Sequence, residues 1–186
     1  MDNGASSYRR FRNDGDEQGL VEIIKEYKDG LIFYLNSFVG DLSVAEELCE
    51  DTFVLLGTRK PKDKGTGSFK TWLYTIGRNI AVDYLRKQKS RNEIPLESVF
   101  NLSDEEQAFE DEFIKEERKK TLYSAIKKLK AEYRQVLWLI YFEGFSNKEV
   151  SAVMKKSVHS VETLAYRARN ALKTELEKEG FNYEEL

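Results

Sequence analysis

From Leu20 to Phe38 the apolar residues Leu20, Ile23, Ile24, Tyr27, Leu31, Tyr34, Leu35 and Phe38 fall three or four positions apart, which is one face of an α-helix. The same spacing returns wherever apolar residues recur, and no segment shows the alternation of a half-buried strand, so the spacing predicts an all-α fold. The first helix closes near Gly40. Ser43 and Glu46 have capping-box spacing and open a second helix, with Val44, Leu48, Leu55 and Leu56 on its apolar side and Gly57 as its expected stop. Residues 57–67, GTRKPKDKGTG, read as a basic loop. Ser68 to Lys89 then lacks proline and carries Phe69, Trp72, Leu73, Ile76, Ile80, Val82 and Leu85, a third long helix with a basic end.

Beyond it, residues from about 90 to 112 carry Pro95, Ser98, Asn101, Ser103 and many acids with weak periodicity, as an interdomain linker does. Leu122, Ile126 and Leu129 mark a further helix, and Val136, Leu137, Leu139, Ile140 and Tyr141 mark another that ends at Gly144. Ser146 with Glu149 repeats the capping-box pattern ahead of Val150, Val153 and Met154. Lys155 to Ser157 form a turn, and a final helix runs from about Val158 to Lys178. The architecture expected is two small helical domains, 15–90 and 116–180, joined by an acidic flexible linker at 91–115.

Composition excludes several classes. A chain with 40% hydrophobic residues has enough apolar material for real cores, so its 34% charge signifies solvated helices rather than disorder. The longest unbroken apolar run, Val136 to Phe142, is far shorter than the roughly 20 residues a membrane-spanning helix needs. Met1 to Arg12 has no apolar stretch of the secretory kind, so a cytoplasmic protein without stable membrane insertion is expected. One cysteine, Cys49, and one histidine, His159, supply neither an internal disulfide nor a Cys/His metal site, and no cofactor is expected.

The net charge of −3 conceals strong segregation. Residues 41–51 hold Asp41, Glu46, Glu47, Glu50 and Asp51 and no base. Residues 59–91 hold ten bases against Asp63 and Asp83, residues 92–117 hold ten acids against Lys115, and residues 118–134 hold seven bases against Glu132. Two basic blocks in an acidic chain fit two surfaces for a polyanion, with an acidic surface left for a different partner.

The C-terminal pattern is that of a helix-turn-helix: a short capped helix, a short turn, then a longer helix with small residues inside and basic ones outside. Entering a major groove, that helix would offer Ser157, His159, Ser160, Glu162 and Thr163 to base edges and Lys155, Lys156, Arg167, Arg169 and Lys173 to phosphates. In the N-terminal half, Phe69, Trp72, Tyr74 and Tyr84 interleave with bases beside the basic loop. That combination suits single-stranded nucleic acid, although aromatics at helical spacing also serve as core.

Two segments carry a family resemblance. AEELCEDTF (45–53) followed by SFKTWLYTIGRNIAVDYLRK (68–87) resembles region 2 of bacterial RNA polymerase sigma factors. AIKKLKAEYRQVLWLIYFEGFSNKEVSAVMKKSVHSVETLAYRARNALK (125–173) resembles region 4 of the same sigma-70 family. The short spacing between them resembles the extracytoplasmic-function (group IV) subfamily. The resemblance implies a promoter-specificity subunit, itself no enzyme, that joins core RNA polymerase and directs initiation at −10 and −35 elements. It implies core binding to the β′ clamp helices through Glu47, Glu50 and Asp51, and −10 contacts from Lys70, Trp72, Arg78, Asn79 and Arg86 beside a loop holding an extruded base. It implies −35 reading by residues 146–169, a contact of region 4 with the β flap, and control by an anti-sigma factor in a stress or envelope response. The sequence departs from the family where Glu162 and Leu164 stand, positions that commonly carry bases, and where Lys130 rather than proline follows Leu129.

A stand-alone dimeric helix-turn-helix regulator with an N-terminal sensing or dimerisation domain is the alternative; it would need neither the acidic patch nor the basic loop. KGTGSFKT (64–71) lacks the consecutive Gly-Lys-Ser/Thr of a phosphate-binding loop and follows no strand, which removes the nucleotide-hydrolase reading.

Overall fold

A computed structural model describes residues 3–63, 67–90 and 113–180, with the side chains of 113–119 excepted. Among the described residues eight α-helices carry the fold: α1 (Asn3–Arg9), α2 (Glu17–Val39), α3 (Leu42–Arg59), α4 (Phe69–Ser90), α5 (Phe113–Lys127), α6 (Ala131–Leu137), α7 (Asn147–Met154) and α8 (Val158–Lys178). Wider π-helical turns extend α1 through Arg10–Asp14 and α6 through Trp138–Phe142. No strand occurs among the described residues, and none of their helices is long and apolar enough to cross a membrane.

The stripe on α2 buries Ile23, Tyr27, Leu31, Tyr34, Leu35 and Phe38, and this makes α2 the axis of the molecule, with α1, α3, α4 and α6 packed around it. Gly40, at φ 69°, takes the left-handed conformation that ends the helix. The expected Ser43–Glu46 capping box does not form. Asp41 caps α3 instead, its carboxylate accepting from the Val44 amide at 3.1 Å, because α3 starts two residues earlier than the pattern predicts. Gly57 does not stop α3 either; the helix continues to Arg59 and ends on Lys60 at φ 44°. Leu129 lies past the end of α5, in the turn to α6, where it is nevertheless buried. The acidic linker expected at 91–115 falls almost wholly outside the described residues.

Residues 3–14, which the periodicity leaves unassigned, are ordered against the rest. Helix α1 lies on α2 through small residues: a β-carbon on Gly19 would collide with the Ser7 carbonyl, and one on Gly4 would meet Phe69 and Tyr27. Such close approach removes apolar area from water without any apolar stripe on α1 itself.

The buried side chains of both halves join in one cluster that runs from Tyr8 to Ala168. At the seam between them Arg134 of α6 is buried and donates to the carbonyls of Lys127 at 3.0 Å, Leu129 at 2.7 Å and Ser37 at 3.2 Å. One guanidinium thus ties the end of α5 to the end of α2. Burial lowers its pKa to about 10, which leaves it charged at neutral pH.

Candidate nucleic-acid interface

Two capping serines build the helix-turn-helix. The Ser146 hydroxyl accepts from the Glu149 amide while the Glu149 carboxylate accepts from the Ser146 amide at 3.0 Å, completing the capping box on α7. Lys155, at φ 55°, closes α7 in the left-handed region, and two residues later Ser157 caps α8 by accepting from the Ser160 amide at 3.1 Å. Val150, Val153 and Met154 of α7 are buried with Val161, Ala165 and Ala168 of α8. The two alanines let the helices cross closely.

At 100° per residue, the face of α8 opposite Val161, Ala165 and Ala168 is a ridge of His159, Thr163, Tyr166 and Asn170. Glu162, Arg169 and Lys173 line one flank and Ser160 and Arg167 the other, all of them exposed. Ser157 and Lys155 stand exposed at the turn, while Lys156 pairs with Glu132 of α6 at 2.9 Å. Arg169 donates to the Tyr141 hydroxyl at 3.2 Å, and Lys173 lies 3.8 Å from Glu177. Tyr166, 60% exposed, and Asn170 were not among the sequence-derived readers. Their place one and two turns beyond Thr163, on the same side as His159, is the signal that finds them.

Helix α4 divides its five candidates between two faces. Trp72, Asn79 and Arg86 are seven residues apart and share a stripe, whereas Lys70 and Arg78 turn away from it. Arg86 is exposed beside Asp83 at 3.2 Å. Trp72 is half-buried between the rings of Tyr8, at 5.1 Å, and Phe69, at 5.5 Å. Phe69 and Tyr74 are core residues, so two of the four aromatics that suggested base stacking serve packing instead. The Arg78 Nε is buried with no hydrogen-bond partner among the described residues.

Lys70 is held by the other half of the molecule. Its Nζ lies 2.8 Å from a Glu143 carboxylate oxygen and donates to the Glu143 carbonyl at 2.8 Å. The same carboxylate accepts from the Tyr74 hydroxyl at 2.7 Å and from the Trp138 indole at 3.1 Å. Burial, then the Glu143 charge and hydrogen bond, raise the Tyr74 pKa, so this phenol stays a donor. Gly30 of α2 leaves the room, since a β-carbon there would stand 2.5 Å from Glu143. One turn away Glu149 also accepts from Ser68 at 3.0 Å and Thr71 at 3.3 Å. Burial opposes its charge, but the Ser146, Ser68 and Thr71 donors outweigh that and hold its pKa below the ordinary value. Ring contacts flank the seam, Phe33 tilted against Trp138 at 5.3 Å and Tyr74 edge-on to Phe145 at 5.2 Å.

The acidic candidates sit apart from all of this. Glu47, Glu50 and Asp51 lie on one exposed face of α3 with Val54, which is 59% exposed, and none pairs with a base among the described residues. Acids beside an uncovered valine form a surface suited to a basic protein partner. No cluster of metal-ligating side chains occurs among the described residues.

Comparison with known proteins gives two family matches, sigma-70 region 2 over residues 23–91 and sigma-70 region 4 over residues 119–172. The RNA polymerase sigma factor SigZ of Bacillus subtilis is 30% identical over 158 residues, covering 85% of this chain and 87% of that one. The ECF RNA polymerase sigma factor BldN of Streptomyces coelicolor is 26% identical over 162 residues, covering 85% of this chain but 60% of BldN's own length. Among solved structures, the sigma factor RpoE in complex with the anti-sigma factor NepR from Bartonella quintana matches with a TM-score of 0.64 at 23% identity, over 84% of this chain and 97% of that one.

Proposed function

The chain belongs to the sigma-70 family of RNA polymerase sigma factors, in the extracytoplasmic-function branch of promoter-specificity subunits, and on that premise we propose how its surfaces divide the task of initiation. The acidic face of α3, with Glu47, Glu50 and Asp51, docks on the β′ clamp helices of core polymerase, and the C-terminal half meets the β flap. Helix α8 enters the major groove at −35, with its His159–Thr163–Tyr166–Asn170 ridge toward base edges and its basic flanks toward phosphates. The loop before α4 and the stripe of Trp72, Asn79 and Arg86 hold the separated strand at −10. Residues 15–90 and 116–180 act as the two units, and 91–115 as the tether between them.

The observation that carries this reading is the coexistence in one chain of a capped helix-turn-helix with a free outer face and an unpaired acidic helix face. A groove reader alone needs only the first. The protein catalyses nothing itself, acts in the cytoplasm, and is held in reserve by an anti-sigma factor, a reading supported by the fold shared with a sigma factor bound to one. The test is to mix the protein with bacterial core polymerase and a library of promoter fragments. Co-elution with core and fragment-specific abortive transcripts are expected, and Glu50→Lys with Asp51→Lys should abolish both while the far-ultraviolet spectrum stays helical. Intact co-elution of that double variant would remove α3 from the core interface.

A further inference from the structure

Residues 3–14 precede the part of the chain that the region 2 match covers, yet they are built into the edge of the −10 surface. Tyr8, 3% exposed, lays its ring 5.1 Å from Trp72 and 5.5 Å from Phe69, and its hydroxyl donates to the Pro61 carbonyl at 2.6 Å. The Arg12 Nε donates to the Lys60 carbonyl at 3.1 Å, and the Lys60 ammonium sits 4.5 Å above the Phe11 ring. Three contacts therefore fix the first residues of the basic loop to this segment. Between segment and loop runs an open cleft of about 260 Å³ lined by Tyr8, Arg9, Arg12, Asn13, Lys62 and Asp63. Arg9, Arg12 and Lys62 are exposed, so three cations meet a single acid there, in a chain whose net charge is negative.

The cleft is smaller than the roughly 300–1,000 Å³ of pockets that enclose whole small ligands. An open basic groove of this size suits a stretch of polyanion passing through, and its Tyr8 wall is in ring contact with Trp72 at the head of the α4 stripe. We propose that residues 3–14 form a second wall of the melted-strand site, in which Arg9, Arg12 and Lys62 hold phosphates of single-stranded DNA and Tyr8 positions the loop. This inference rests on the assignment of the loop and α4 to the separated strand.

The test uses holoenzyme made with the full chain and two DNA probes, a fork whose −10 segment is single-stranded and a duplex carrying only −35. Arg9→Ser with Lys62→Ser, both exposed, should weaken fork binding about tenfold and lower the slope of log affinity against log salt by about 1.4, two single-strand phosphate contacts, without altering duplex binding. Tyr8→Phe keeps the ring and loses the Pro61 bond; it should weaken fork binding with the salt slope unchanged. If wild-type holoenzyme binds the fork and the Arg9→Ser, Lys62→Ser variant matches it in affinity and slope, this inference is overturned while the −10 assignment stands. If wild-type holoenzyme binds the fork no better than core alone, the −10 assignment falls and takes this inference with it.

Discussion

Single side chains at the seam carry charges that are buried or half-buried, and each is held there by hydrogen bonds. Arg134 is the clearest case: its guanidinium donates to three backbone carbonyls, those of Lys127, Leu129 and Ser37. Arg134→Met fills the space and leaves those carbonyls buried, so urea unfolding should show a loss of about 3 kcal/mol, in the range for hydrogen bonds to a charged group. A loss near zero would mean that water replaces the guanidinium. Glu149 gives a pH dependence of definite sign. Its folded pKa lies below the unfolded one, so its stabilisation is present above the usual carboxylate range near 4.3 and fades as pH falls through the lower, folded value. Glu149→Gln should therefore be less stable than wild type at pH 7, with the urea midpoints converging below about pH 4. A gap independent of pH would assign the effect to packing alone.

At the scale of elements, helices whose burial comes from apolar stripes were legible and those whose burial comes from small residues were not. The α7–turn–α8 unit follows from Ser146, Glu149 and the apolar spacing, and the structure places the cap of α7 where the pattern does; the Ser157 cap of α8 is seen only in the structure. Helix α1 gave no such signal, because what fits it to α2 is the absence of a side chain at Gly19 and Gly4. Gly19→Ala forces a methyl group into the Ser7 carbonyl and should cost about 1–3 kcal/mol, the usual range for overpacking, read as a lowered melting temperature. Unchanged melting would show that α1 is not docked as described. Asp41 displaced Ser43 as the cap of α3 for a similar reason: both residue types cap well, and only packing against α2 decides which turn comes first. At the interface, the basic residues of α4 were readable as a group, but their division into the Trp72 stripe and the Lys70 side was not. That division depends on Glu143, a residue 73 positions away in sequence from its partner Lys70.

Across the whole molecule, the docking of α7 on α4 sets a geometric condition on function. Elements centred 25 base pairs apart lie about 85 Å apart along the duplex at 3.4 Å per pair. A compact chain of 186 residues has a radius of gyration of about 16 Å and measures roughly 40 Å across, half of that distance. Contact with both elements at once thus requires the C-terminal helices to leave α4, freeing Lys70 from Glu143. Glu143→Gln removes the charge that holds Lys70 and should raise the radius of gyration measured by small-angle scattering, while wild type stays near 16 Å until core polymerase is added. A variant as compact as wild type would place the hold in the ring contacts instead. The most direct measurement is a footprint of one promoter fragment, by hydroxyl radical for groove protection and permanganate for unpaired thymines. Protection near −35 together with reactive thymines near −10, appearing only when protein and core polymerase are both present, is the result this account predicts. Two symmetric half-sites protected by the protein alone, with no unpaired thymine, would contradict it and leave a dimeric duplex-binding regulator in its place.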